Sequence, residues 1–321
     1  MQKKYLSIII VLMVSMLVIA CAPSGGKPTA VPAPTQAMPE PTSTPALANP
    51  AKALAATLGN LSYTGIFPDQ AIVLKNGSGT YEGGTVHLFD QLIVQGDLNG
   101  DGKADAVALL DDQSSGSGHF VWIAAVLDAA GQPTTVEAVM LGDRIGVKSV
   151  KIENGQVVAD IVGQGAGDVA CCGTWNIRKV FALQDGKLVE QSSKELSKVA
   201  VSDLNGTWRL VDLNSHTEPA LPDVEVTLQI ADGQLSGSAG CNTYNATVTG
   251  SPDNPGAFKV GPIASTKKAC PDPIMQQETD YLTWLGQVKA WRYGAGQLAL
   301  LYASRNDVPQ YLVFEPIATT H

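Results

Sequence analysis

The sequence predicts a mainly β protein of α+β class, with two β-rich domains behind an N-terminal leader and tether. Three observations predict it. Apolar and polar residues alternate on both sides of Asn-Gly and Asp-Gly pairs, the pattern of strands joined by tight hairpins. One strong stretch of helical spacing stands out in the C-terminal third. A Pro/Thr/Ala/Ser-rich stretch separates an apolar leader from everything else.

The leader comes first. Lys3 and Lys4 precede an apolar run over residues 6–19, too short for a comfortable membrane span. The run ends in Val-Ile-Ala-Cys at residues 18–21, which resembles the lipobox of bacterial lipoprotein signal peptides. That resemblance implies cleavage before Cys21 and lipidation of Cys21. The chain would then be lipid-anchored at the extracytoplasmic face of a bacterial membrane. Residues 1–20 are the signal peptide on this reading, and residues 21–50 the lipidated cysteine and its tether. Prolines make that tether extended and semi-rigid. A short helix follows, with Asn49 as cap, Pro50 in its first position and Gly59 at its end.

Residues 51–195 read as the first β-rich domain. Hairpins are predicted around Asn154-Gly155 and Asp185-Gly186, and in the second domain around Asp232-Gly233. Residues 193–203 show no periodicity, which sets the boundary there. The second domain spans residues 203–317. In it, residues 272–291 predict a helix capped by Asp272, with Pro273 in the first position. Ile274, Glu278, Tyr281, Leu282, Leu285 and Val288 fall on one stripe, and all but Glu278 are apolar. That stripe faces a core.

Three groups of residues stand out together: Leu-Asn-Gly-Thr-Trp-Arg-Leu-Val at residues 204–211, then Gly240, Cys241 and Asn242, then Ala264, Ser265, Thr266 and Cys270. In their order and spacing the second domain resembles the META (HslJ-like) domain family. Asn245-Ala246 stands where the family often has a Gly after the aromatic position. The resemblance implies a compact β fold with one packed helix. It also implies a place in the bacterial envelope and in stress tolerance, with no established enzymatic activity. Read from the residues alone, Gly240 and Asn242 are turn formers, and Ser265 and Thr266 belong to a polar patch before the helix.

Of five cysteines, a lipidated Cys21 leaves four, which permit three disulfide connectivities. The domain assignment favours Cys241–Cys270. Cys171 and Cys172 are adjacent, and open to a vicinal disulfide, free thiols or a metal. No histidine lies near them in sequence, so zinc is poorly supported.

One stretch suggests a metal directly. Asp97, Asn99, Asp101 and Asp105 stand at positions one, three, five and nine of a calcium loop. Gly102 permits its sharp turn, and Lys103 would offer a backbone carbonyl. Three carboxylates in nine residues repel one another unless a cation neutralises them. Ala108 stands where an EF-hand needs a bidentate Glu, and both flanks read as strands. A plain Asp/Asn/Gly turn is the competing reading. The loop resembles those of FG-GAP and VCBS extracellular repeat proteins, which implies a structural Ca2+ between strands. Only one copy is present, so no propeller is expected.

A net charge of −9 excludes a nucleic-acid partner, because no basic patch exists to neutralise phosphates. Catalytic motifs are absent, and His87, His119, His216 and His321 are scattered. The expectation is a non-catalytic, membrane-anchored envelope lipoprotein. Its META domain would bind an envelope protein or small-molecule ligand, or protect against envelope stress. The alternative is an extracytoplasmic, hydrolase-like enzyme with a site between the domains, using Asp111, His119 or the Cys171/Cys172 pair. Asp111 and Asp112 are adjacent carboxylates expected at a strand end.

Overall fold

The computed structural model describes residues 50–114, 119–168, 173–214, 218–294, 296–302 and 309–317. The signal peptide, Cys21, the tether, the Cys171/Cys172 pair, His216 and His321 lie outside the described residues.

Helix α1 (Pro50–Leu58) opens the described chain. Two hairpins follow: β1 (Ser62–Phe67) with β2 (Gln70–Val73), and β3 (Ser78–Tyr81) with β4 (Gly84–Leu88). Where the sequence suggested one strand over residues 89–94, the chain makes a 3-10 turn at Asp90–Leu92 and then the short β5 (Val94–Gly96). Next come the long strands β6 (Asp105–Ser114) and β7 (His119–Leu127), with β8 (Thr134–Thr135) and β9 (Val139–Asp143) alongside. A four-stranded meander continues: β10 (Gly146–Glu153), β11 (Gln156–Gly163), β12 (Trp175–Gln184) and β13 (Lys187–Lys198).

β6 and β7 are buried on both faces, and this explains the continuous apolar run after Asp105. Val107, Leu109, Val121 and Ile123 face the meander and pack with Val150, Ile161 and Phe181. Ala106, Ala108, Leu110, Ala124 and Val126 face the other way, onto Leu58, Tyr63 and Ile72. Alternation along a strand thus feeds two cores from one hairpin.

The remaining chain forms a barrel. Its strands are β14 (Gly206–Asp212), β15 (Thr227–Ala231), β16 (Gln234–Ser238), β17 (Thr243–Ser251) and β18 (Asn254–Val260). They are followed by β19 (Ala264–Ser265), helix α2 (Ile274–Leu285), β20 (Val288–Gly294), β21 (Gln297–Tyr302) and β22 (Gln310–Pro316). The order is β16-β15-β14-β22-β21-β20-β18-β17, and β17 pairs back onto β16. Eight antiparallel strands therefore close on themselves, so each has a neighbour on both sides over at least part of its length. The interior holds Trp208, Phe258, Leu300 and Phe314, and Tyr281 and Leu285 of α2 pack onto the same core.

The mainly β, α+β prediction holds. All three predicted hairpins form, joining β10 to β11, β12 to β13 and β15 to β16. Both residues of each turn have positive φ, near 50° for the Asn or Asp and near 75° for the Gly. That is the type I′ geometry these pairs favour. Three expectations need correction. β13 runs on to Lys198, into the stretch 193–203 that showed no periodicity, because β12 holds its backbone while most of its side chains stay exposed. Pro273, not Asp272, sits at the helix cap position, with no side-chain cap bond. The helix stops at Leu285, and Val288 opens β20. Its helical spacing was a coincidence of two apolar patterns.

A polar joint fastens the meander to the barrel. Asn176 of β12 accepts from Lys148 Nζ at 3.0 Å and donates to Asp203 at 2.9 Å. The Tyr293 hydroxyl donates to the Asp203 carbonyl at 3.1 Å. At Gly146 a Cβ would lie 2.8 Å from the Tyr293 carbonyl oxygen, so only glycine allows this approach.

Candidate functional site

The acidic loop is closed by its own side chains. Asp97 accepts from the backbone N–H of Gly100 at 2.7 Å and of Gly102 at 3.0 Å. Asn99 and Asp101 accept from the N–H groups two residues on, at 2.9 and 2.8 Å. These are the local turns that Asp and Asn favour. Asp105 is fully buried at the loop's base and accepts from the N–H groups of Leu98 and Asp128. Lys103 pairs with Asp128 at 3.0 Å. Among the described residues, no three His, Cys, Asp or Glu side chains converge to hold a metal ion. Of the expected ligand set Asp97, Asn99, Asp101, Lys103 and Asp105, each Asp105 oxygen already accepts one backbone N–H.

Asp111 and Asp112 project to opposite faces of β6, so they form no paired-carboxylate site. Asp112 accepts from the Tyr81 hydroxyl at 2.7 Å. Asp111 accepts from Gln113 at 2.7 Å, and its other oxygen lies 3.0 Å from His119 Nε2. Hydrogen bonding to Asp111 pushes the half-exposed His119 imidazole upward, against its partial burial. Arg292 of β20 acts weakly in the opposite direction.

The signature residues of the second domain meet at one buried clamp. Glu278, the odd polar member of the helical stripe, points into the barrel end. Its Oε2 accepts from the backbone N–H of Asn242 at 2.7 Å and of Cys241 at 3.3 Å. Its Oε1 accepts from Asn242 Nδ2 at 2.7 Å. Asn242 Oδ1 in turn accepts from Thr266 Oγ1 at 2.8 Å and the N–H of Lys268 at 2.7 Å. Cys241 and Cys270 are joined, with Cα atoms 6.1 Å apart. Gly240 has φ of 106°, where a Cβ would meet Val224 at 2.8 Å. Ser265 sits in β19, paired with Tyr244. Gly240, Cys241, Asn242 and Thr266 thus join strand, loop and helix. These hydrogen bonds are what turn and clamp chemistry requires of the four residues.

An open site lies elsewhere on the barrel, at its weakest seam. β18 and β20 share one register pair, Ala257 with Ala290. Continuing that register sets Phe258 against Lys289 and Lys259 against Val288. Opposed residues of an antiparallel pair project to the same face. Here Phe258 and Val288 are buried, whereas Lys259 and Lys289 are exposed, so the phases conflict. A bulge in β20 causes the conflict. Its pairing with β21 slips between Val288 and Ala290, and Val288 and Trp291 both turn inward although they are three residues apart. The strands part beyond Ala257 and leave a cleft of about 720 Å³, lined by Thr249, Ser251, Lys259, Gln287 and Lys289 among others. Ligand sites commonly have this volume. Of the cleft's lining, only Val288 was singled out in the sequence, and there as the end of a helical stripe.

A closed antiparallel barrel with one helix clamped to it defines a small β-barrel module. Residues 200–312 match the META domain family. The acidic loop lies outside that match, and its likeness to FG-GAP and VCBS loops is not confirmed by it. No curated protein and no solved structure matches the chain.

Proposed function

We propose that this protein is a non-catalytic, lipid-anchored lipoprotein of the bacterial envelope, whose META domain binds a partner or ligand in envelope-stress protection. The observation that carries the reading is the cleft at the β18–β20 seam. It is open, it has polar and apolar walls, and it is created by a bulge rather than left by poor packing. Bulges recur beside functional sites. The lipobox resemblance at residues 18–21 supports the anchor.

One observation favours the enzyme alternative. His119 Nε2 lies 3.0 Å from a carboxylate oxygen of the buried Asp111. A complementation assay separates the readings. In cells lacking the native copy, the Lys259→Glu/Lys289→Glu variant is expected to lose stress protection, while His119→Ala keeps it. The reverse result would replace the binding reading with the enzymatic one. Moving Cys21→Ser into the same cells is expected to shift the protein out of the membrane fraction.

Calcium enters this proposal in a narrower form. Asp97, Asn99 and Asp101 would be the side-chain ligands, and Asp105 a structural residue. Such an ion competes with backbone N–H groups for the carboxylates, so millimolar affinity is expected. Calcium at about ten times its dissociation constant would stabilise by about 1.4 kcal/mol, a melting shift of roughly 3–6 °C. Thermal unfolding with calcium and with chelator reads it, and Asp101→Ala should abolish the shift. Identical wild-type curves would leave the loop as a turn.

A further inference from the structure

The geometry points to an acidic peptide in extended conformation as the occupant of the seam cleft, an assignment that rests on the binding reading above. Charge is the first argument. The chain carries a net −9, yet the ionisable residues lining the cleft are Lys259 and Lys289, with no Asp or Glu beside them. Both lysines are exposed, and neither has an ion-pair partner among the described residues. The site therefore inverts the sign of the whole molecule and selects an anion.

Backbone is the second argument. Over residues 258–260, β18 has a strand partner only on its β17 side. Over residues 288–289, β20 has one only on its β21 side. The walls of the cleft are therefore two strand edges, in a barrel whose other neighbouring strands are paired. A free edge is a template for an added strand, which supplies main-chain hydrogen bonds along its length. An isolated phosphate or carboxylate would satisfy the lysines and leave these edges unused. An extended peptide satisfies both. Alternate side chains of a strand face one way, so carboxylates at every second position can lie along the outer face, where Lys259 and Lys289 stand.

The test uses the full-length protein in detergent and a fluorescein-labelled Val-Glu-Val-Glu-Val-Glu peptide, followed by fluorescence anisotropy. Saturable binding is expected, weakened about tenfold or more in the Lys259→Gln/Lys289→Gln variant. Methylating alternate backbone nitrogens of the peptide is expected to weaken binding about as much, because it removes main-chain donors. Free glutamate in ~100-fold excess over the peptide should not compete. Equal affinity for the glutamine variant would overturn the assignment. So would undiminished binding of the methylated peptide, full competition by glutamate, or no binding at ~1 mM protein. If Lys259→Glu/Lys289→Glu abolishes stress protection while the peptide fails to bind, the peptide assignment falls and the binding reading stands.

Discussion

The Glu278→Ala protein is expected to melt about 6–12 °C below wild type. Glu278 is buried and accepts three hydrogen bonds from residues 241–242. Removing the carboxylate strands those donors in a site shielded from water. Each unsatisfied buried group costs about 1–3 kcal/mol, and relaxation of the loop recovers part of that, leaving about 3 kcal/mol. For a unit of this size each kcal/mol moves the melting point by about 2–4 °C. Glu278→Gln should recover part of the loss, since its amide oxygen can keep the two backbone donors while its N–H2 faces Asn242 Nδ2. A Glu278→Ala melting point within about 1 °C of wild type would mean that the clamp adds nothing to stability.

The second large effect is expected from the disulfide. Cys241 and Cys270 close a loop with a sequence separation of 29 residues. Chain entropy alone assigns such a crosslink about 3–4 kcal/mol. Cys241→Ser/Cys270→Ser, or reduction of the wild type, should therefore lower the melting point by about 7–14 °C. Replacing both residues avoids leaving an odd thiol. The disulfide and Glu278 hold the same short segment, so their losses should not add. A combined variant melting at the sum of the two shifts would show that the bond and the clamp act independently.

The hairpins were legible because their signal is local. Asn154-Gly155, Asp185-Gly186 and Asp232-Gly233 each carry the positive φ values of their own turn. The Cys241–Cys270 pairing was legible through the family resemblance. Glu278 gave a readable hint too, as a carboxylate within an apolar helical stripe, but nothing along the chain names Asn242 as its partner. The helix end was misread because Val288 continues the apolar spacing of a helix that has already stopped. The seam could not be read at all. It depends on Ala257 meeting Ala290 and on a slip against β21, both settled only when the barrel closes. The loop at residues 97–105 was legible as a pattern, but its charge argument missed the backbone. N–H groups aimed at Asp97, Asp101 and Asp105 relieve carboxylate repulsion without an ion.

The doubly buried strand β6 has a consequence before folding is complete. Residues 106–110 read Ala-Val-Ala-Leu-Leu, a short apolar segment with no charge of its own. Exposed in a nascent or newly exported chain, such a segment can stack with copies of itself. Asp105 stands immediately before it, and Asp111 and Asp112 immediately after. Once folded, all three are buried, and hydrogen bonds to backbone, Tyr81 and Gln113 hold them. Before that, they act as gatekeepers, putting charge at both ends of an apolar stretch. The same aspartates thus guard solubility first and native register afterwards.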